Sequence, residues 1–149
     1  MKFDTKFIKA WNYKGVALYK LERYKEAIAC YDKALEISPR SDFAWNGKGD
    51  ALRRLGNYTE AITCFNNALE INPRSDFAWS FKGKVLTKLG QYEEALECHD
   101  KALEINPLSE YAWNDKGDTL YKLGKYEEAL ECHDKALEIN PLSEYAWNG

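Results

Sequence analysis

Every tryptophan, proline and cysteine in this chain obeys one spacing. Trp stands at positions 11, 45, 79, 113 and 147, Pro at 39, 73, 107 and 141, and Cys at 30, 64, 98 and 132. Each interval is 34 residues. Gly15, Gly49, Gly83 and Gly117 keep the same step, as do Tyr24, Tyr58, Tyr92 and Tyr126. A fixed period of this length is the mark of a repeat array, so a chain like this folds one short unit several times.

One unit reads as two helices. From Asp42 to Leu55 the residues Phe43, Trp45, Ala51, Leu52 and Leu55 follow a helical pattern. Ser41 is a good N-cap for that helix, and Gly56 stops it at a natural left-handed position. A second helix is predicted from about Tyr58 to Ile71, with Asn57 as its cap and Glu60 completing a capping box. Pro73 ends the unit, since proline cannot continue a helix. The sequence shows no candidate strand, so the fold class expected is all-α.

Small residues suggest how the helices meet. Gly49 and Ala61 are expected to let the two backbones of a pair approach, with Ala68 serving the next unit. Trp45, Leu52, Leu55, Tyr58, Ile62, Phe65, Leu69 and Ile71 fill the remaining space. Complete burial of one Trp removes ~150–250 Å² from water, worth roughly 4–6 kcal/mol at most. A single hairpin has no room for that. Stacked neighbours do, and three or more units are therefore needed for a stable core.

These residues resemble the tetratricopeptide repeat family. Its pattern is Trp, two residues, Leu-Gly, two residues, Tyr, then Ala, three residues, Phe and a late Pro. The chain carries Trp11-Gly15, Ala27, Tyr31, Ala34 and Pro39 in its first copy, and Trp45-Gly49, Ala61, Phe65, Ala68 and Pro73 in its second. Trp79-Gly83, Ala95, His99, Ala102 and Pro107 follow, then Trp113-Gly117, Ala129, His133, Ala136 and Pro141. The family Leu is replaced by Lys14, Lys48, Lys82 and Lys116, and the family Tyr by Leu18, Leu52, Leu86 and Leu120. Each of those lysines is expected to pack its stem and extend its ammonium to a carboxylate.

The resemblance implies a right-handed α-solenoid of stacked antiparallel helix pairs. It divides the chain into an N-terminal extension of the first helix (1–9), four repeats (10–43, 44–77, 78–111 and 112–145) and the start of a fifth (146–149). The final Ala146-Trp147-Asn148-Gly149 opens that fifth copy without a polar capping helix. Such an end suggests a fragment of a longer array, or an end covered by another chain. Residues 89–114 and 123–148 agree everywhere except Gln91 against Lys125. Near-identical neighbours favour register slips and domain swapping.

By the same resemblance, the first helices line a concave face that binds an extended peptide or partner segment. The implied rows are the aromatic Phe43, Phe77 and Tyr111, extended by Tyr145, and the polar Asn12, Asn46, Ser80 and Asn114, extended by Asn148. Val16, Asp50, Lys84 and Asp118 come next. Then follow Tyr19, Arg53, Thr87 and Tyr121, and finally Lys20, Arg54, Lys88 and Lys122. An Asn amide both donates and accepts, which suits a peptide backbone. The basic and aromatic rows suit acidic or apolar side chains. Capping of helix starts and balancing of helix dipoles are the plainer uses of the same residues.

Other functions find less support. One branch of the family holds chaperone C-terminal carboxylates in a cationic clamp. Its positions fall here on Asn12, Val16, Gly47, Phe77 and Phe81, or on Asn46, Asp50, Phe81, Tyr111 and Asp115, and neither set supplies the cations. No metal or cofactor is expected. Adjacent Cys98-His99 and Cys132-His133 point ~100° apart on a helix and cannot easily share an ion. No phosphate loop, His-Glu-x-x-His or nucleophile elbow is present, so an enzyme is not expected. Glu93-Glu94 and Glu127-Glu128, spaced against Lys101 and Lys135, read as a solvated outer face.

Lys plus Arg is 21 and Asp plus Glu is 24, a net charge of −3. That balance gives no reason to expect nucleic acid or an anionic membrane surface. No apolar run approaches the ~20 residues of a membrane span. Dispersed cysteines and the absence of a secretory leader suggest a cytoplasmic setting. Residues 1–9 carry +2 and the four repeats +1, 0, −2 and −4. A basic start and an acidic end favour head-to-tail self-association. The expected role is thus a non-catalytic interaction scaffold. Self-assembly through the ends, or targeting for a larger enzyme, are the alternatives.

Overall fold

The computed structural model describes residues 5–142. Among them run the helices α1 (Thr5–Lys20), α2 (Tyr24–Ile37), α3 (Asp42–Arg54), α4 (Tyr58–Ile71), α5 (Asp76–Lys88), α6 (Tyr92–Ile105), α7 (Glu110–Lys122) and α8 (Tyr126–Ile139). No strand occurs among the described residues. Trp147, Tyr145, Asn148 and the start of the fifth copy lie outside them. Among the described residues, no helix is long and apolar enough to cross a membrane.

The chain divides into two compact units, Met1–Pro73 and Arg74–Gly149. In the first, α1 packs on α2 and α3 on α4, while α2 also packs on α3. In the second, α5 packs on α6 and α7 on α8, while α6 packs on α7. Each unit is all-α, with antiparallel helix pairs stacked as in an α-solenoid.

The two ends of a first helix follow the sequence closely. The Ser41 hydroxyl accepts from the Ala44 amide at 3.2 Å, and Ser75 and Ser109 do the same for Ala78 and Ala112. At the other end Gly56 adopts φ +82°. The Asn57 amide then reaches the Leu52 carbonyl at 2.9 Å and the Gly56 amide the Arg53 carbonyl at 3.0 Å, closing the helix. Gly90 and Gly124 repeat this turn, but the first copy places Glu22 there at φ 61°. A side chain in the left-handed region costs ~1–2 kcal/mol. Glu22→Gly should therefore raise stability by about 1 kcal/mol, read as a higher urea midpoint at unchanged slope.

The capping box does not form. Asn57 makes no side-chain capping bond to α4, and Arg23, Gln91 and Lys125 at the same position cap their helices no better. Its φ of −86° and ψ of 69° lie outside the extended region of a side-chain cap. The tight turn after Gly56 fixes that geometry.

Gly49 also acts differently from expectation. A Cβ there would lie 2.8 Å from the Phe65 ring, so the glycine admits a ring rather than the backbone beside Ala61. Gly83 stands the same way to His99, and Gly117 to His133. Gly15 and Gly47 both face the Tyr31 ring. His99 and His133 thus occupy the aromatic slot of Tyr31 and Phe65.

The Trp indole bonds to the backbone where the preceding repeat ends. The Trp45 indole donates to the Pro39 carbonyl at 3.0 Å, and Trp113 donates to that of Pro107 at 2.9 Å. The indoles of Trp11, Trp45, Trp79 and Trp113 remain half-buried, so each contributes less than full burial. Their exposed faces carry the lysines. Lys14, Lys48, Lys82 and Lys116 place their ammonium groups 5.4–5.7 Å from the ring centres. Lys48 also reaches Asp32, and Lys116 reaches Asp100, each at 2.7 Å.

The four cysteine thiols are free and buried. Burial pushes Cys64 and Cys98 up to about 11, and raises Cys30 and Cys132 as well. Such thiols are small core groups and poor nucleophiles. Glu93, Glu94, Glu127 and Glu128 are exposed. Lys101 and Lys135 pair instead with Glu104 and Glu138, one turn further on, at 3.9 Å.

Candidate functional site

The rows implied by the resemblance sit on first helices, and the two units arrange them differently. In the first unit, Phe43 at the start of α3 is exposed. One oxygen of Asp50 accepts from the Arg53 Nε at 2.9 Å and from its terminal nitrogen at 2.7 Å. Burial and then the Asp50 carboxylate push the Tyr19 hydroxyl up to about 12. Arg54 donates to the Tyr24 hydroxyl at 3.0 Å and lies 5.4 Å from the centre of that ring. Tyr19 and Tyr24 meet edge to face at 5.3 Å. Both arginines of α3 are therefore engaged by their own fold, Arg53 by a carboxylate and Arg54 by a tyrosine. Val16 and Tyr19 lean on the core around Leu18 and Tyr31. Lys20 is exposed.

In the second unit the aromatic row doubles. The Phe77 and Phe81 rings lie 4.3 Å apart, and the Lys84 ammonium sits 5.4 Å from the Phe81 centre. Lys84 is also 3.7 Å from Asp115 on α7. The Thr87 hydroxyl meets that of buried Thr119 at 2.8 Å, joining α5 to α7. Ser80 is half-buried, while Tyr111, Asp118, Tyr121, Lys88 and Lys122 are exposed.

The asparagines do not share one environment. Asn12 and Asn114 are buried, and Asn46 is half-buried. The Asn114 side-chain oxygen lies 2.9 Å from the His133 Nδ1, which therefore carries the proton and donates. The other ring nitrogen is 3.7 Å from Asp118. Among the described residues, the Asn114 amide nitrogen has no acceptor and the Asn12 amide oxygen no donor. Sequence reasoning missed Tyr24, Thr119 and His133 as members of these faces, and weighed Phe81 and Asp115 only as clamp positions. Tyr24 and His133 belong to second helices, which the groove rows leave out. The invariant spacing of Tyr24 was a signal available for that position.

Taken together, these faces offer exposed rings and a polar network that is mostly satisfied from within. That chemistry suits stacking and apolar contact with a chain laid along the helices.

A family model described as the tetratricopeptide repeat matches residues 8–41, 43–75, 77–107 and 110–141. No curated protein matches the chain at a significant level. Among solved structures, MamA 41-end from Desulfovibrio magneticus RS-1 is similar with a TM-score of 0.81 and 22% identity, over 92% of this chain and 77% of that one. The Pseudomonas aeruginosa PilF structure gives 0.88 at 21% identity, over 95% and 64%. The first such domain of Spaghetti (RPAP3), bound to the HSP90 peptide SRMEEVD, gives 0.78 at 26% identity, over 81% and 96%.

Proposed function

The chain belongs to the tetratricopeptide repeat family, and from that premise we propose that it is a non-catalytic scaffold holding an extended peptide or partner segment along its first helices. The observation that carries this reading is the exposure of Phe43, Phe77 and Tyr111 at three successive helix starts. Large rings left in water at a repeated position are more than scattered surface apolar residues. Aromatic anchors of this kind dominate recognition surfaces.

The preferred ligand is apolar or uncharged rather than acidic. Arg53 is neutralised by Asp50, and Lys84 stands by Asp115. The RPAP3 domain takes an acidic peptide, but the corresponding clamp positions here include Asp50 and Asp115 and no cation. Lys20, Arg54, Lys88 and Lys122 then serve solubility and the helix C-terminal dipoles. A cytoplasmic setting is part of the proposal, supported by four free, buried thiols.

The test is an array of extended decapeptides probed with wild-type protein and with a Phe43→Ala, Phe77→Ala, Tyr111→Ala triple variant. Those rings are exposed, so the variant should keep its helical circular dichroism. Loss of each ring should weaken binding by about 1 kcal/mol. Peptides rich in apolar residues should bind the wild type and be lost from the variant. Equal binding by both proteins removes the first-helix faces from the mechanism. A preference for acidic peptides such as SRMEEVD would overturn the ligand class.

A further inference from the structure

The outer faces of α1 and α8 carry the two halves of an interface that each unit already contains. We infer that the α8 face of one copy takes the α1 face of a second copy, so that the chain assembles head to tail. The inference does not depend on the peptide-binding reading.

The internal interfaces supply the template. Where α2 packs on α3, Ala44 and Ala51 are fully buried; where α6 packs on α7, Ala112 and Thr119 are. Their equivalents on α1 are Ala10 and Ala17, and both are exposed. On the other side, Leu96 of α6 packs against the cluster of Leu120, Ala129 and Cys132 beside Trp113. Its equivalent on α8 is Leu130, which is 62% exposed, and Tyr126 beside it is 62% exposed. Three repeats before the Leu120, Ala129, Cys132 and Trp113 that seat Leu96 stand Leu18, Ala27, Cys30 and Trp11, grouped in the first core. Leu130 of one copy therefore has a matching seat in the next.

Charge selects the same pairing. At the two internal interfaces Lys48 meets Asp32 and Lys116 meets Asp100. Lys14 on α1, Lys82 on α5 and Asp134 on α8 are left over from these rows, and of them Lys14 and Asp134 lie on the two outer faces. Neither forms an ion pair with another described residue, and the 34-residue step makes each the complement of the other. In the sequence, residues 1–9 carry +2 and the last repeat −4. Even the aromatic slot is prepared. Tyr31 sits against Gly47, whereas the smaller His133 would face Tyr13 of the second copy. A contact of this kind is heterologous, so it propagates into chains rather than closing as a dimer.

The experiment is sedimentation velocity on the full chain from about 1 µM to about 1 mM, a range that covers weak interfaces. The mass should rise with concentration above 17.2 kDa. Ala17→Glu or Leu130→Glu should each raise the apparent dissociation constant by at least tenfold, about 1.4 kcal/mol. Mixed in equal amounts, these two variants keep one intact face each and should form a 1:1 dimer that grows no further. Lys14→Asp and Asp134→Lys should each weaken association, and the double exchange should restore it. Unchanged circular dichroism marks each variant as folded. A chain that stays at 17.2 kDa throughout overturns the proposal. So does association that the face variants leave unchanged, or a mixture that grows past the dimer.

Discussion

Phe65→Ala should destabilise the protein by about 3–5 kcal/mol, the usual cost of removing a fully buried ring. The Phe65 side chain has no exposed surface. Its ring lies against Gly49, which has no side chain to move into the space left behind. The other buried residues of its helix are Ala61, Cys64, Ala68 and Leu69, of which only Leu69 is large, and all are fixed on the same helix. Collapse is therefore limited, and most of the cavity stays. For a chain of this length that cost corresponds to about 10 °C in Tm. The partner substitution makes the argument specific. In the wild type, Gly49→Ala would put a Cβ 2.8–3.1 Å from three ring atoms and should destabilise. In the Phe65→Ala background the same methyl has room and gains up to about 1 kcal/mol of helix propensity. The effect of Gly49→Ala should thus change sign between the two backgrounds, measured by urea unfolding. If it destabilises both equally, the glycine is not there for the ring.

That pair shows how far the sequence could be read. Spacing alone disclosed helix pairs, the Ser41 cap and the turn at Gly56, because those features depend on residues a few positions apart. The family was legible as a resemblance, carried by Trp, Gly, Ala and Pro in each copy. The purpose of Gly49 was not legible, because the ring it admits lies sixteen residues away on another helix. Asn57 was misjudged for a related reason: its conformation is set by the preceding turn and not by its own side chain. The lysines at the family's Leu position were legible in part. A need for a carboxylate could be deduced, but Asp32 and Asp100 lie on the preceding helix and only packing brings them within 2.7 Å. The candidate site was least legible. The cations of the first helices read as one basic surface until Asp50, Tyr24 and Asp115 are seen to occupy Arg53, Arg54 and Lys84, leaving Lys20, Lys88 and Lys122 exposed.

Acid should destabilise the protein through His99, by roughly 3 kcal/mol between pH 6.5 and pH 4. His99 has no exposed surface, and neither ring nitrogen finds a hydrogen-bond partner among the described residues. Burial pushes its pKa down to about 4. Asp100 on its own helix opposes that shift, and Lys84 of α5 and Lys116 of α7 reinforce it. The unfolded chain takes up the proton near pH 6.5 and the folded one only near pH 4. Stability from this residue is thus complete above pH 6.5, falls as the pH drops through the interval, and falls no further below it. His133 in the last copy has Asn114 to accept its Nδ1 proton, but the position of Asn114 is Ser80 in the third copy, and that of Asp118 is Lys84. The repeat therefore kept the histidine and changed its surroundings. His99→Phe restores the residue that the second copy uses against its own glycine. It should raise stability at pH 7 by about 1–3 kcal/mol, because no unsatisfied donor remains buried. The variant should also lose the extra acid sensitivity, so that its advantage over wild type widens from pH 7 to pH 4.5. Urea midpoints at the two pH values measure both effects, and the difference between the proteins cancels the carboxylates they share. A constant advantage across that range would show that His99 binds its proton equally well folded and unfolded.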